Sequence, residues 1–422
     1  MRERNTEYEI RNTKGLYMTT KTLKFKLHIN VPASEVYRAF THQTLLQDWF
    51  SDAAQCDPRV GGRLYWYWRE GFYAFGTYTA LEPHKKIAFT WDGKGEPVPT
   101  KVQITLNEKD GGTAMTLSHS GIGSGGKWKQ TIHEIENGWN ESLENLKSVL
   151  EDGIDLRLAR LPRLGIFIGD FNAEIAQKIG VPAKAGVRLE GAAENSGARA
   201  AGLQKDDVIV KFAEKTMKAP GSLAPALQGK HAGDKVPVVF YRGGEKKTVM
   251  LELSKRPTLQ PPATPAEFVE LAKKNAAKIN DEIAKLLEGV TETQAEVRPA
   301  PEEWNIKELI AHIICTERDL QSWLADMLND NQRVSDFFEF RPNVNPRLRA
   351  LVKRYNSVQA LRDELKNAQQ ETIDYLSALP DSFYKRPHFY RRLALWIMEI
   401  IPSHVTSEHG EQIQRTLEAA RK

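Results

Sequence analysis

Between Lys255 and Ala266 the chain reads KRPTLQPPATPA, with four prolines in a short polar run. Proline fixes φ and has no N–H to donate, so neither a helix nor a central strand continues through this stretch. It reads as a semi-rigid spacer, placed at 257–263. The hydrophobic pattern differs on its two sides. Upstream, apolar residues alternate in short runs; downstream, they recur at helical spacing almost to the end. A second seam, EDGIDLRLARLPR over 151–163, closes a long helical pattern and leads into a glycine-punctuated strand. At 422 residues the chain is also too long for one ordinary core. The expected fold class is multidomain α+β. A strand-rich domain with a closing helix spans 20–152, a mixed domain 160–256, and an all-α four-helix bundle 264–422. Residues 1–19 are expected to form a disordered extension. Met18 is a second candidate start beside Met1, because recognisable pattern begins at Leu23.

Charge and cysteine usage narrow the function classes. The net charge is only +4, with no long block of one sign, which argues against nucleic acid as the main partner. No stretch approaches the ~18 uninterrupted apolar residues of a membrane span. The opening MRERNTEYEIRNTKGLYM lacks the apolar segment of a secretory leader. Cys56 and Cys315 fall in different domains, so a structural disulfide is not expected, which suits a reducing cytoplasm.

Within 20–152, LKFKLHINV alternates as a half-buried strand, SEVYRAFT follows as a short helix, and a second helix runs through Leu45 to Phe50. Five more strand-like runs follow, several of them separated by the Gly-Gly and Asp-Gly turns of antiparallel hairpins. Over 128–150, Ile132, Ile135, Trp139, Leu143, Leu146 and Leu150 form one apolar stripe. A sheet curved around one long helix is a helix-grip architecture. The segments VPASEVYRAFT, LLQDWF, CDPRVGG, FGTYTALEPHKKIAFTW, GGTAMTLSHSG and ENGWNESLENLK resemble the Hsp90-ATPase-activator-like (AHSA1-like) branch of the START/Bet v 1 superfamily, also called SRPBCC. The resemblance implies a cavity for an apolar small molecule, with Trp49, Trp66, Trp68 and Trp139 as candidate lining. The competing reading packs these rings as core. His119 and His133 are further polar candidates for the cavity.

The middle stretch, RLGIFIGDFNAEIAQKIGVPAKAGVRLEGAAENSGARAAGLQKDDVIVKF, resembles the PDZ domain of bacterial HtrA-type proteases. The resemblance implies docking of a peptide C-terminus. Arg163, Leu164, Gly165 and Ile166 occupy the carboxylate-loop position, and the backbone N–H groups of Leu164, Gly165 and Ile166 would cradle the carboxylate. The strand from Ile166 to Ile168 would pair with an extended peptide, and a groove helix at 221–229 would offer Leu223 and Leu227. Gly165 is expected to leave room for the incoming oxygen. Pro225 fits that helix only in its first turn. No protease segment is attached.

After the spacer, Thr264 caps a helix with Pro265 at its first position. Two further helices are read over 304–330 and 358–379, and a fourth from about 391 to 421. RPAPEEWNIKELIAHIICTERD, with Trp304, His312 and Glu317, and the closing EHGEQI, with His409, Gln412 and Ile413, resemble the DinB/YfiT-like bundle family. The family implies three histidines holding a divalent metal, Zn or Ni, with one on the second helix and two on the fourth, four residues apart. In SHVTSEHGEQI that slot is Val405, and the spare histidine is His404. On a regular helix, residues four apart lie about 40° from one another and residues five apart about 140°. His404 is therefore expected to point away from His409. Glu408 and Glu317 are candidate carboxylate replacements, and a distortion near Pro402 would be another way to complete the set.

These readings favour a non-catalytic adaptor with a small-molecule domain, a peptide-docking domain and a bundle whose metal site is degenerate. The alternative is a metal-dependent transferase or hydrolase centred on the bundle. A third reading, a chaperone cofactor of the Hsp90 type, rests on resemblance alone.

Overall fold

The computed structural model describes residues 6–10, 20–329, 331 and 343–421. It has two compact units. One joins Met1–Ile154 to Leu259–Lys422; the other is Asp155–Thr258.

The first unit opens with eight antiparallel strands: β1 (Thr6–Ile10), β2 (Thr20–Ile29), β3 (Ala53–Cys56), β4 (Arg63–Tyr67), β5 (Tyr73–Glu82), β6 (Lys86–Gly93), β7 (Thr100–Lys109) and β8 (Gly112–Gly123). Their spatial order is β1-β2-β8-β7-β6-β5-β4-β3. Side chains alternate, so Ile87, Phe89 and Trp91 of β6 point inward while their neighbours are only half-buried. The helix Lys129–Asp152 seats Ile135, Trp139, Leu143, Leu146 and Leu150 in the same core as the sheet. The expectation of disorder over 1–19 is corrected at Thr6–Ile10, which pairs with β2 from Thr6 opposite Phe25 to Ile10 opposite Lys21. The outer edge of β2 presents unpaired backbone groups, and the TEYEI run supplies partners for them. Met18 lies outside the described residues.

The bundle is built on the helices Pro265–Leu286, Ile306–Leu328 and Val358–Ser377 and on a helical run over 387–420. Capping boxes start the first two. Thr264 exchanges hydrogen bonds with Glu267, and Asn305 with Glu308. A further helix, Asn345–Arg354, lies between the last two of these three.

The sheet domain and the bundle share packing. Leu45, from the short helix Gln43–Trp49, is 2% exposed and belongs to the bundle's hydrophobic core. Arg386 pairs with Glu35 at 3.3 Å, Arg392 pairs with Asp48, and Arg391 donates to the carbonyl of Asp152 at 2.9 Å. The helix Lys129–Asp152 ends on Gly153 at φ +67°, where a Cβ would lie 2.5 Å from the Pro387 carbonyl oxygen. Both the left-handed conformation and the close approach require glycine there. The proline-rich segment, read as a semi-rigid spacer, is docked on the bundle. Tyr390 donates to the Pro262 carbonyl at 2.7 Å, the Arg391 guanidinium binds the Leu259 carbonyl, and Leu259 packs on the bundle core.

The second unit contains β9 (Ile166–Gly169), β10 (Val187–Ala192), β11 (Val208–Phe212), β12 (Lys215–Thr216), β13 (Lys235–Arg242) and β14 (Glu245–Glu252). The order is β14-β13-β11-β10-β9, with β12 on β11, so β9 is an edge strand. Among its short helices is Leu223–Leu227. Pro225 is its third residue, within the first turn, where its missing N–H breaks no helical bond.

Candidate metal centre

His312 lies in the first half of the helix Ile306–Leu328. His404 and His409 lie on the 387–420 run, which is not a regular helix. It winds as a π-helix over Trp396–Ile400 and again over His404–His409. In a π-turn the backbone bonds five residues apart, so side chains five apart stack on one face. The second π-turn therefore aligns His404 with His409, and the regular-helix expectation that they diverge is corrected. Val405, in the slot the regular helix would use, is buried in the bundle core.

Local chemistry explains the distortion. Pro402 has no N–H for the Met398 carbonyl, and its ring would crowd that carbonyl in a regular helix. The first π-turn widens the backbone there. Asn275 donates its side-chain amide to the Ile397 carbonyl at 2.9 Å, and the Thr406 hydroxyl donates to the Pro402 carbonyl at 2.9 Å.

The three imidazoles converge. His404 Nε2 lies 3.3 Å from His312 Nε2 and 3.0 Å from His409 Nε2. Ligand atoms of all three fall within 4.8 Å of one another. The opposite ring nitrogens of His404 and His409 are anchored. His404 Nδ1 meets the Glu408 carboxylate at 2.9 Å, and His409 Nδ1 meets Gln412 Oε1 at 2.8 Å. Both oxygens only accept, so Nδ1 carries the proton and Nε2 presents a lone pair. Lone pairs at this separation repel unless a proton or cation lies between them. Nitrogen atoms about 2.0–2.1 Å from a tetrahedral zinc are themselves roughly 3.3 Å apart, so the observed spacing fits a metal. His409 is 3% exposed, and burial, reinforced by the neighbouring His404, pulls its titration down to about 4 against the opposing hydrogen bond that it donates to Gln412. A neutral imidazole is the form that ligates. The Trp304 ring lies 4.8 Å from that of His312 and closes one side.

The carboxylate candidates fall elsewhere. Glu408 holds the outer nitrogen of His404 and does not join the inner cluster, a correction of its expected role. Glu317 is also outside the cluster. It is 6% exposed, accepts from the Thr372 hydroxyl at 2.9 Å, and is pushed up to about 7 by burial. It lines a small cavity of about 30 Å³ with Asn275, Gln369, Thr372 and Pro402.

The candidate small-molecule residues gather around Phe50. Phe50 stacks on Trp139 at 5.3 Å and meets the edge of Trp66 at 5.7 Å and of Trp68 at 5.2 Å. Trp49 lies 4.8 Å from the same ring. His119 is fully buried and accounted for. Its Nδ1 accepts from Trp139 at 3.0 Å, its Nε2 meets the Thr100 hydroxyl at 2.7 Å, and burial lowers its titration to about 3. His133 sits on the exposed side of its helix beside Asn137. These rings and the buried His119 lie together in the interior of the sheet domain.

Among the candidate peptide-binding residues, Leu164, Ile166, Leu223 and Leu227 share one hydrophobic cluster, while Ile168 is 45% exposed on the edge strand. Arg163 is tied into a backbone bridge with Ser254. Gly165 carries a structural requirement of its own. It has φ +75°, and a Cβ would lie 2.1 Å from Cβ of Ser196, whose hydroxyl donates to the Gly165 carbonyl.

Comparison with known proteins agrees with this division. Three family models match in chain order: Activator of Hsp90 ATPase homolog 1-like protein over residues 30–151, PDZ domain over 162–253, and DinB superfamily over 277–413. The chain joins these three domain families. A probable periplasmic serine endoprotease, DegP-like, from Marinomonas sp. (strain MWYL1) is 31% identical over 94 residues, which are 22% of this chain and 20% of that protein. The chain thus matches about a fifth of that relative's length. Among solved structures, CalU16 from Micromonospora echinospora is 23% identical, with 33% of this chain and 81% of that one covered and a TM-score of 0.27. PFC0360w, an HSP90 activator from Plasmodium falciparum, is 23% identical, with 30% and 94% covered and a TM-score of 0.27. No helix among the described residues is long and apolar enough to cross a membrane.

In the DinB-like bundle, the residue that sequence reasoning misplaced is His404. The signal was present: a proline inside a helical run, two residues before a histidine pair spaced five apart.

Proposed function

We propose that His312, His404 and His409 hold a divalent metal, zinc or nickel, and that the chain is a metal-dependent transferase or hydrolase whose chemistry sits in the DinB-like bundle. The observation that carries this reading is the convergence of three Nε2 atoms whose partner nitrogens, in His404 and His409, are fixed by Glu408 and Gln412. Outer partners of this kind set the tautomer and raise ligand basicity. Structural zinc sites close with four protein ligands, whereas three leave a position for substrate. The cluster has three members among the described residues, the pattern of a reactive site. A metal bound there would supply Lewis acidity. The chain's own residues orient the imidazoles, and Trp304 shields His312.

The protein purified without chelators is expected to carry about one zinc or nickel per chain by elemental analysis, and each of His312→Ala, His404→Ala and His409→Ala is expected to lose it. Content far below this in the wild type would sink the reading and restore the adaptor.

The PDZ domain would bring a protein substrate or partner by its C-terminus, supported by an edge strand with exposed Phe167 and Ile168. Binding to a C-terminal peptide should disappear when the peptide carboxylate is capped as an amide; unchanged binding would overturn it. We place the protein in the cytoplasm, where the free thiols Cys56 and Cys315 would stay reduced. Recovery in a periplasmic fraction, the compartment in the relative's name, would reverse that placement.

A further inference from the structure

The helical run that carries His404 and His409 begins against the AHSA1-like domain. Arg386, one residue before it, pairs with Glu35, and Arg392, in its second turn, pairs with Asp48. All four side chains are largely buried, between 13% and 22% exposed. Between them Arg391 holds the Asp152 carbonyl, His388 is 7% exposed, and Gly153 lets Pro387 approach to a distance no Cβ would permit. The first turns of the run are therefore held at several points on the AHSA1-like domain, in addition to the Tyr390 bond to Pro262 and the Arg391 bond to Leu259.

From Arg392 the run continues without a break to Ala420, through both π-turns. Each π-turn accommodates one residue more than a regular turn would, and one residue corresponds to about 100° of helix rotation. A helix with such insertions has more than one register available, and the side chains that face inward depend on which is selected. Downstream, Ile413 and Leu417 anchor the run in the bundle core. Midway, Asn275 holds the Ile397 carbonyl. Upstream, Phe389, Leu393 and Ala394 also sit in the bundle core, and the ion pairs to Glu35 and Asp48 add an anchor from a different domain.

We propose that the AHSA1-like domain positions the metal-ligand helix of the DinB-like bundle, with Glu35 and Asp48 as positioning residues acting through Arg386 and Arg392. The two domains form one functional centre, in which the first sets the rotation that turns His404 and His409 toward His312. This rests on the metal reading above.

The test uses the full chain with Co(II) as the probe, read by its visible absorption. Glu35→Gln combined with Asp48→Asn keeps side-chain shape and removes both charges. The double variant is expected to bind Co(II) about 10-fold or more weakly, the scale seen when a group behind a metal ligand is lost, and to show an altered spectrum. The exchanged pair Asp48→Arg with Arg392→Asp is expected to recover both, which a general loss of stability would not predict. A folded double variant with wild-type Co(II) affinity and spectrum overturns the proposal. Should the double variant fail to fold, Asp48→Asn alone is read in the same way. If the folded wild type takes up no Co(II), the metal reading fails, and positioning is judged by hydrogen exchange over 396–413. Faster exchange there in the variant sustains the proposal, and unchanged exchange overturns it.

Discussion

Glu317 offers a test of the bundle interior that is independent of metal. Its carboxyl is 6% exposed, with the Thr372 hydroxyl as its hydrogen-bond donor, and it titrates near 7 instead of at the ordinary 4.5. Above pH 7 the group is ionised in both the folded and unfolded chain, and burial of the charge weakens the fold. At about 1.4 kcal/mol per pH unit between the two titrations, that cost is about 3 kcal/mol. The sign follows from the raised value: the cost is present in full above pH 7, declines as pH falls from 7 to 4.5, and is absent below. Glu317→Gln keeps the size and an acceptor for Thr372 but never ionises. The variant should therefore be more stable than the wild type by about 3 kcal/mol at pH 8 and equal to it near pH 4. Urea unfolding followed by tryptophan fluorescence, with chelator present, provides the assay. All nine tryptophans lie outside 155–258, so the signal reports the larger unit alone. A stability difference that does not change with pH, or a variant weaker than the wild type at pH 8, would refute the reasoning.

Moving the histidine one place, by His404→Val with Val405→His, should abolish metal uptake, because the π-turn aligns residues five apart; uptake retained or improved by elemental analysis would mean the helix is regular. Gly165→Ala should destabilise the PDZ domain by about 2–4 kcal/mol, from the left-handed backbone and the approach to Ser196 together. Hydrogen exchange over 155–258 in the full chain would report it, and unchanged protection would count against the geometry. The AHSA1-like domain should lose stability as pH falls from about 6.5 toward 3, because neutral His119 is the form Trp139 donates to. Near-UV circular dichroism should show this loss, and His119→Gln should reduce it; identical acid curves would refute the assignment.

Much of the fold was legible because its signals are local. The alternation in KIAFTW and TKVQITLNE gave β6 and β7, the spacing from Ile135 to Leu150 gave the long helix, and Thr264-Pro265 marked where the bundle starts. The partnership of the AHSA1-like domain with the bundle was not legible. It depends on Glu35 meeting Arg386, residues far apart in sequence whose charges look like ordinary surface charges until the fold brings them together. The candidate metal centre was half legible. His312 and His409 stood out by motif, but His404 was judged by an angle that assumes a regular helix, and the proline that changes the angle acts through backbone hydrogen bonds that side-chain periodicity does not record. At Gly165 the backbone conformation and the approach of Ser196 add a structural requirement that the motif alone does not show.

The larger unit is discontinuous in sequence, and this bears on how the chain is synthesised. The surface bearing Glu35, Leu45 and Asp48 emerges from the ribosome early, while Arg386 and Arg392 lie more than three hundred residues later. At about 5–20 residues per second, roughly 20–70 seconds separate the two ends of this contact. During that interval the PDZ domain is made in full, and the acidic, partly apolar surface of the first domain waits without its partner. A ribosome-bound chaperone, or pausing near the proline-rich segment, would have its greatest effect in that interval.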